Sequence, residues 1–365
     1  MKEIESLYLH IPFCKEICSY CDFCKMFYNE QKVNQYLDEL EVEINSLYNG
    51  EKLDTLYIGG GTPSCLNIAQ LDRLFSILEI FRKNKNIEFT IECNFSNTTR
   101  EKLELFKKYG VNRLSFGLET ISKNQLLFLD RDESREKTIN VIKMAREIGF
   151  NNINVDLMYA LPDETISDLE NDLEFIYSLD VEHISCYSLI IEEHTKLSIG
   201  GIKNISDELD FSMYKTICDS MKNNGFDHYE ISNYCKEEFY SRHNLVYWNN
   251  LEYYGFGLGA SGFIGNRRYS NTRSINKYLE GSYIVEEEIL DEDDLWYYEI
   301  MLNLRKKDGI DLDKLYDNYK IKLDYLELVD LGLVCLDNNR LYIPEEKWYI
   351  SNDIIIRLLE GVSYE

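Results

Sequence analysis

Tyr8–Lys25 reads YLHIPFCKEICSYCDFCK. Leu7–Ile11 has the β-branched and aromatic character of a short strand. Cys14, Cys18 and Cys21 follow it on a loop, at C-x3-C-x2-C spacing. Thiolates are soft ligands suited to iron–sulfur clusters or zinc. A short loop can wrap three thiolates around one face of a cubane. A [4Fe–4S] cluster has four irons, so three local ligands leave one iron open. Cys24 offers a fourth thiolate, which admits a structural zinc site or a fully ligated cluster. Coincidental spacing in a cysteine-rich chain is the bland alternative.

Downstream, strand-like runs alternate with amphipathic stretches. The strands are Thr55–Ile58, Glu88–Glu92, Arg113–Gly117, Asn152–Met158 and His183–Leu189. The clearest helix places Val33, Tyr36, Leu37, Leu40, Ile44, Leu47 and Tyr48 at three- and four-residue steps, with Gly50 as its stop. Further helices fit Ile68–Phe81, Glu101–Lys108, Ser134–Ile148, Thr165–Ser178 and Asp207–Asn223. Such alternation predicts an α/β fold with a parallel sheet, a partial (β/α)6 barrel with its ligands at the carboxyl ends of the strands. After Asn224, Tyr229–Asn233 reads as a strand, followed by an aromatic- and glycine-rich segment. From Asp291 the pattern predicts helices, then a β-hairpin turning at Asn338-Asn339, a mixed α+β, winged-helix-like appendage. The expected division is 1–228, 229–290 and 291–365.

The chain has 365 residues with 44% hydrophobic composition, enough for a sizeable core and against wholesale disorder. Lys and Arg number 39 against 65 Asp and Glu, a net charge of −26, which on average repels nucleic acid and anionic membranes. Loose peripheral contact with a membrane or membrane protein stays open, but composition does not point to it. No apolar run reaches the ~18–20 residues of a membrane span, and the N-terminus is too acidic for a secretion signal. A cytoplasmic location is expected. Of the ten cysteines, the six outside the cluster read as small buried hydrophobes.

The second motif is YIGGGTPS, Tyr57–Ser64. Its glycines let backbone groups approach a ligand closely, and N–H groups at a following helix start favour a carboxylate. An ordinary tight turn would read the same in isolation.

Taken together, YLHIPFCKEICSYCDF and GGGTP resemble the radical S-adenosylmethionine (SAM) enzymes, in the branch around oxygen-independent coproporphyrinogen III oxidase. The resemblance implies that Cys14, Cys18 and Cys21 hold a [4Fe–4S] cluster whose open iron chelates SAM, with Tyr8 and Tyr20 lining the site. It places Gly60, Gly61 and Thr62 near the methionyl group. IECN carries over Glu92, RLSFGLET carries Glu119 where the family usually has Gln, FLDRDES carries Arg131, and NVDLMYALP carries Asp156. The decarboxylating oxidase has an extra cysteine two positions after the third ligand. Here that position is Phe23.

SRHNLVYWNN, Ser241–Asn250, separates functions. A lone histidine is more often a structural hydrogen-bonding residue than a ligand. An imidazole beside Tyr and Trp nevertheless offers an axial nitrogen for haem iron and aromatic faces for a porphyrin. H-N-x-x-Y-W resembles the haem-binding signature of the HemW-type haem chaperones, which implies haem binding through His243. Arg267, Arg268 and Arg273 could meet propionates, but solvent-facing side chains are the default. The expected function is a radical SAM [4Fe–4S] protein that binds haem and transfers it to an apo-haem protein, with a reductant serving the cluster. The rival is oxygen-independent oxidation of coproporphyrinogen III, with a porphyrinogen as substrate. A zinc protein using all four clustered cysteines ranks third, because it leaves the glycine loop unexplained.

Overall fold

The structure, a computed structural model, describes residues 4–364. Six strands lie parallel and adjacent in chain order: β1 (Ser6–Ile11), β2 (Lys52–Gly60), β3 (Arg82–Cys93), β4 (Arg113–Glu119), β5 (Ile153–Tyr159) and β6 (His183–Ser188). β1 to β4 cover the runs expected from their β-branched and aromatic content; β5 starts one residue later than expected, after Asn152, and β6 ends one residue earlier, before Leu189. β1 and β4 are buried nearly throughout, as strands covered on both faces are.

Between them run α1 (Glu30–Leu47), α2 (Ile68–Ile77), α3 (Arg100–Lys108), α4 (Arg135–Ile148) and α5 (Ile166–Ser178), with α6 (Asp207–Asn223) after β6. α1 buries Val33, Tyr36, Leu37, Leu40 and Ile44, the stripe its periodicity predicts. Its start is set by Asn29, whose side chain accepts from the Lys32 N–H. α2 begins in a capping box between Asn67 and Gln70. It is shorter than its pattern, since Leu78–Ile80 tighten into a 3-10 turn before Phe81.

Three features differ from the sequence reading. The expected strand Tyr229–Asn233 is two short strands, β7 (Asp227–Glu230) and β8 (Asn233–Cys235), paired antiparallel with an irregularity at Asn233/Tyr234. SRHNLVYWNN contains a helix, α7 (Arg242–Trp248), capped by the Ser241 side chain. Tyr254–Phe256 forms β9, a seventh parallel strand that pairs with β1. The sheet order is therefore β9-β1-β2-β3-β4-β5-β6-β8-β7.

One hydrophobic cluster runs from Ile4 to Tyr278, so Tyr254, Phe256 and Leu258 share a core with β1. A second cluster spans Ile300–Leu358. Around it lie helices Glu292–Asn303, Leu312–Tyr319 and Ser351–Glu360 and a hairpin of Cys335–Asp337 with Arg340–Tyr342. Asn338 and Asn339 both have positive φ, +46° and +62°, as a two-residue hairpin turn requires. Among the described residues all ten cysteines are free thiols. Cys65, Cys93, Cys186 and Cys235 are buried as expected, whereas Cys218 and Cys335 are only half-buried.

Candidate functional site: a cavity at the carboxyl ends of the strands

The cluster loop leaves the end of β1 and is fastened at both ends. Phe13–Cys14 pair with Met26–Phe27 in a two-residue parallel ladder, and the Tyr28 N–H donates to the Cys14 carbonyl at 2.8 Å. The loop is thereby held over a cavity of about 520 Å³, within the range of small-ligand sites. Cys14, Cys18 and Cys21 all line it. The Thr62 hydroxyl donates to Cys14 Sγ at 3.5 Å, and Arg131 Nη1 donates to Cys18 Sγ at 3.6 Å. Cys24 is buried outside this cavity, its carbonyl accepting from His10 Nε2 at 2.7 Å.

The glycine loop has a steric reason. A Cβ on Gly61 would lie 2.9 Å from Cys14 Sγ and from the Phe13 carbonyl. Gly60 has φ +116°, and a Cβ there would meet the His10 ring at 2.7 Å. Backbone, not side chain, therefore borders the thiols. Gly60 donates its N–H to Glu92 Oε2 at 2.9 Å, and the Tyr57 hydroxyl donates to Glu92 Oε1 at 2.9 Å. Burial pushes the Glu92 carboxyl up to about 7, against the pull of those donors.

Glu119 ends β4 with φ +61°, a conformation that side chains adopt at a cost and that recurs at functional sites. Its carboxylate accepts from the Tyr20 hydroxyl at 2.6 Å and pairs with Arg131 at 3.2 Å. Arg131 also donates to the Gly117 carbonyl at 2.6 Å and faces Glu133 at 3.5 Å. Asp156, on β5, accepts from Asn154 Nδ2 at 2.8 Å, and burial followed by the charge of Glu119 raises its carboxyl to about 6.

The cavity thus gathers the thiols of Cys14, Cys18 and Cys21, a glycine edge, the carboxylates of Glu92, Glu119 and Asp156, and the guanidiniums of Arg113 and Arg131, among other groups. Glu119 Oε2 and Arg131 Nε are buried without a partner among the described residues. The thiols suit a [4Fe–4S] cluster, and the unpaired polar atoms suit a zwitterionic ligand such as SAM.

Two expected residues lie elsewhere. Tyr8 does not line this cavity; its ring stands on Tyr57 at 6.1 Å and its hydroxyl is 2.9 Å from His10 Nδ1. His243 is 1% exposed and stacks on Tyr57 from behind. Its Nδ1 lies 2.8 Å from Thr55 Oγ1 and its Nε2 lies 2.7 Å from Tyr247 Oη. Burial, with the positive charge of Arg113, holds its pKa down to about 3. Glu88 on β3 accepts the N–H groups of Arg242 and His243, both at 2.9 Å, and so pins the start of α7. Neither ring nitrogen is presented to a cavity, so the ring as it stands does not fit a haem ligand. Arg268 is stacked between Phe263 and Tyr298, Arg267 pairs with Glu287, and Arg273 donates to the Asp22 carbonyl.

Sequence reasoning missed Arg113 and Tyr57. Arg113 opens β4, is 2% exposed, lines the cavity and has an unpartnered Nε. An arginine heading the otherwise apolar run RLSFGL was the available signal.

Residues 8–176 match the radical SAM superfamily. The heme chaperone HemW of Lactococcus lactis is 34% identical over 379 residues, 100% of each chain. That of Bacillus subtilis is 36% identical over 372 residues, 96% of this chain and 98% of the relative. The coproporphyrinogen III oxidase HemN of Escherichia coli superposes with a TM-score of 0.86 over 98% of this chain and 90% of its own; at 23% identity that likeness speaks for the fold alone. No helix among the described residues is long and apolar enough to cross a membrane. With one cluster-forming loop, one strand-end cavity and relatives matching from end to end, the chain belongs to the radical SAM superfamily and, within it, to the HemW family.

Proposed function

We propose that this protein binds haem and hands it to apo-haem proteins, on a scaffold that holds a [4Fe–4S] cluster and SAM. One observation carries the reading: likeness to heme chaperones covers the whole chain, well beyond the superfamily match that ends at residue 176. Cys14, Cys18 and Cys21 would hold the cluster; Glu92, Glu119, Arg131 and Asp156 would surround SAM. When bound, these groups supply one-electron chemistry. The Thr62 hydroxyl and the Arg131 guanidinium would each donate toward a cluster thiolate, offsetting its negative charge. An apo-haem acceptor and a reductant are the partners this reading requires.

His243 remains the proposed iron ligand on its motif. Ligation would require α7 to release the ring from both Thr55 and Tyr247. An anaerobic haem titration of cluster-loaded protein, wild type beside His243→Ala, with transfer to an apo-globin, tests this. Stoichiometric binding with a shifted Soret band supports the chaperone reading. Loss of that band in a folded His243→Ala protein supports ligation and release. An unchanged band removes His243 as ligand while leaving the function. Weak, non-stoichiometric binding by wild type overturns the chaperone reading.

The rival, porphyrinogen decarboxylation, draws on the same cavity. Phe23, where the oxidase has its extra cysteine, stands 66% exposed. No decarboxylated porphyrin is expected in an anaerobic assay with reductant and SAM.

A further inference from the structure

Cys218, His228 and Glu345 come from three separate elements: α6, β7 and the 3-10 turn Glu345–Ile350 beyond the C-terminal hairpin. One sulfur, one ring nitrogen and one carboxylate oxygen all lie within 4.8 Å of one another. Glu345 Oε1 is 3.2 Å from His228 Nδ1. The sulfur is 3.4 Å from the Tyr234 hydroxyl.

The imidazole is gripped. Tyr234 stacks on it at 4.0 Å, and Trp348 meets it edge-on at 4.4 Å. The ring is 4% exposed, and its Nε2 has no partner among the described residues. By contrast Cys218 is half-buried and the Glu345 side chain is 41% exposed, so both can adjust and solvent reaches one side. These residues lie outside the cluster cavity and play no part in its chemistry.

We propose that Cys218, His228 and Glu345 form a second metal site, for a divalent cation of the zinc class. The donor set argues for that class: thiolate, imidazole and carboxylate together match zinc, whereas calcium and magnesium take oxygen ligands. Two anionic donors and a neutral imidazole balance a divalent charge. Zinc bonds of ~2.0–2.3 Å space tetrahedral donors by roughly 3.3–3.8 Å, so a modest rotation of the two adjustable side chains closes the set. Water takes the fourth position from the solvent side. The aromatic walls provide an apolar shell of the kind that strengthens such bonds. The ion would fasten α6 and β7 of the sheet unit to the C-terminal unit through Glu345.

The test keeps the cluster thiols out of the competition. Full-length, cluster-loaded protein is exposed to zinc, passed over a chelating resin and analysed for both metals. One zinc per chain above the cluster iron is expected. In a Cys14→Ser/Cys18→Ser/Cys21→Ser chain, cobalt(II) should give a thiolate charge-transfer band. Adding Cys218→Ser should abolish the band, and adding Glu345→Gln should weaken cobalt affinity at least tenfold with an unchanged circular dichroism spectrum. Absence of the band in the starting chain overturns the proposal. A band of equal affinity in the folded Cys218→Ser and Glu345→Gln proteins also overturns it.

Discussion

The imidazole of His243 stacks on the ring of Tyr57, with centroids 5.0 Å apart and planes 23° from parallel. Tyr57 in turn carries Glu92 at the cavity wall. His243 is therefore one ring removed from the cavity, and its two nitrogens tie α7 to Thr55 of β2 and to Tyr247 of its own helix. His243→Ala should lower stability by about 2–4 kcal/mol, from the void and the two stranded hydroxyls. Urea unfolding without haem reads this directly. An unchanged midpoint would show that the ring is not held as described.

Gly61→Ala should block cluster assembly while leaving the sheet formed, with a local backbone shift at Phe13, whose carbonyl the added methyl would also meet at 2.9 Å. The added methyl would lie 2.9 Å from Cys14 Sγ, too close to accommodate without displacing the thiol. Iron and sulfide per chain after anaerobic reconstitution should fall to a small fraction of wild type. Full iron loading would show that the loop yields.

Arg131→Met should weaken SAM binding at least tenfold and cost about 3 kcal/mol of stability. The substitution strands the buried carboxylates of Glu119 and Glu133, which face the guanidinium at 3.2 and 3.5 Å. Calorimetric titration with SAM and denaturant unfolding check the two parts separately.

Glu43 predicts a pH dependence remote from the cavity. From α1 it accepts the Gly257 N–H at 2.9 Å, the Asn271 amide at 2.6 Å and the Tyr278 hydroxyl at 2.5 Å. Burial nevertheless pushes its carboxyl up to about 7. The folded state then keeps this proton to higher pH than the unfolded chain, whose glutamates titrate near ~4.3. The group's relative stabilisation is full below about 4.5 and is lost as pH rises to about 7. Between those limits wild type should lose up to about 3 kcal/mol more than Glu43→Gln. Urea midpoints of the two proteins across this range measure the difference; parallel curves would show that Glu43 does not titrate there.

The six parallel strands and their helices were legible because their burial leaves continuous apolar runs and clean helical stripes. The cluster loop was legible because its ligands are neighbours in sequence. β9 was not, since YGFGLG is short and glycine-rich, and its partner β1 lies far upstream. Nor was the fate of His243, whose Thr55 partner is 188 positions away. Glu88 as the cap of α7 was hidden for the same reason: a carboxylate in a strand pattern gives no sign of the helix it will meet. Asn338-Asn339 was readable because a two-residue turn is decided locally.

The pairing of Leu7 with Tyr254 has a consequence for biogenesis. During synthesis β1 emerges well before the strand that covers its outer edge, which comes only after the ribosome has passed most of the sheet. Until then the strand bearing the cysteine loop has one row of open backbone groups, the exposed kind that invites pairing with other chains. Contacts so distant along the chain form slowly. The strand that leads into the cysteine loop is therefore completed on this edge only once Tyr254–Phe256 has been made.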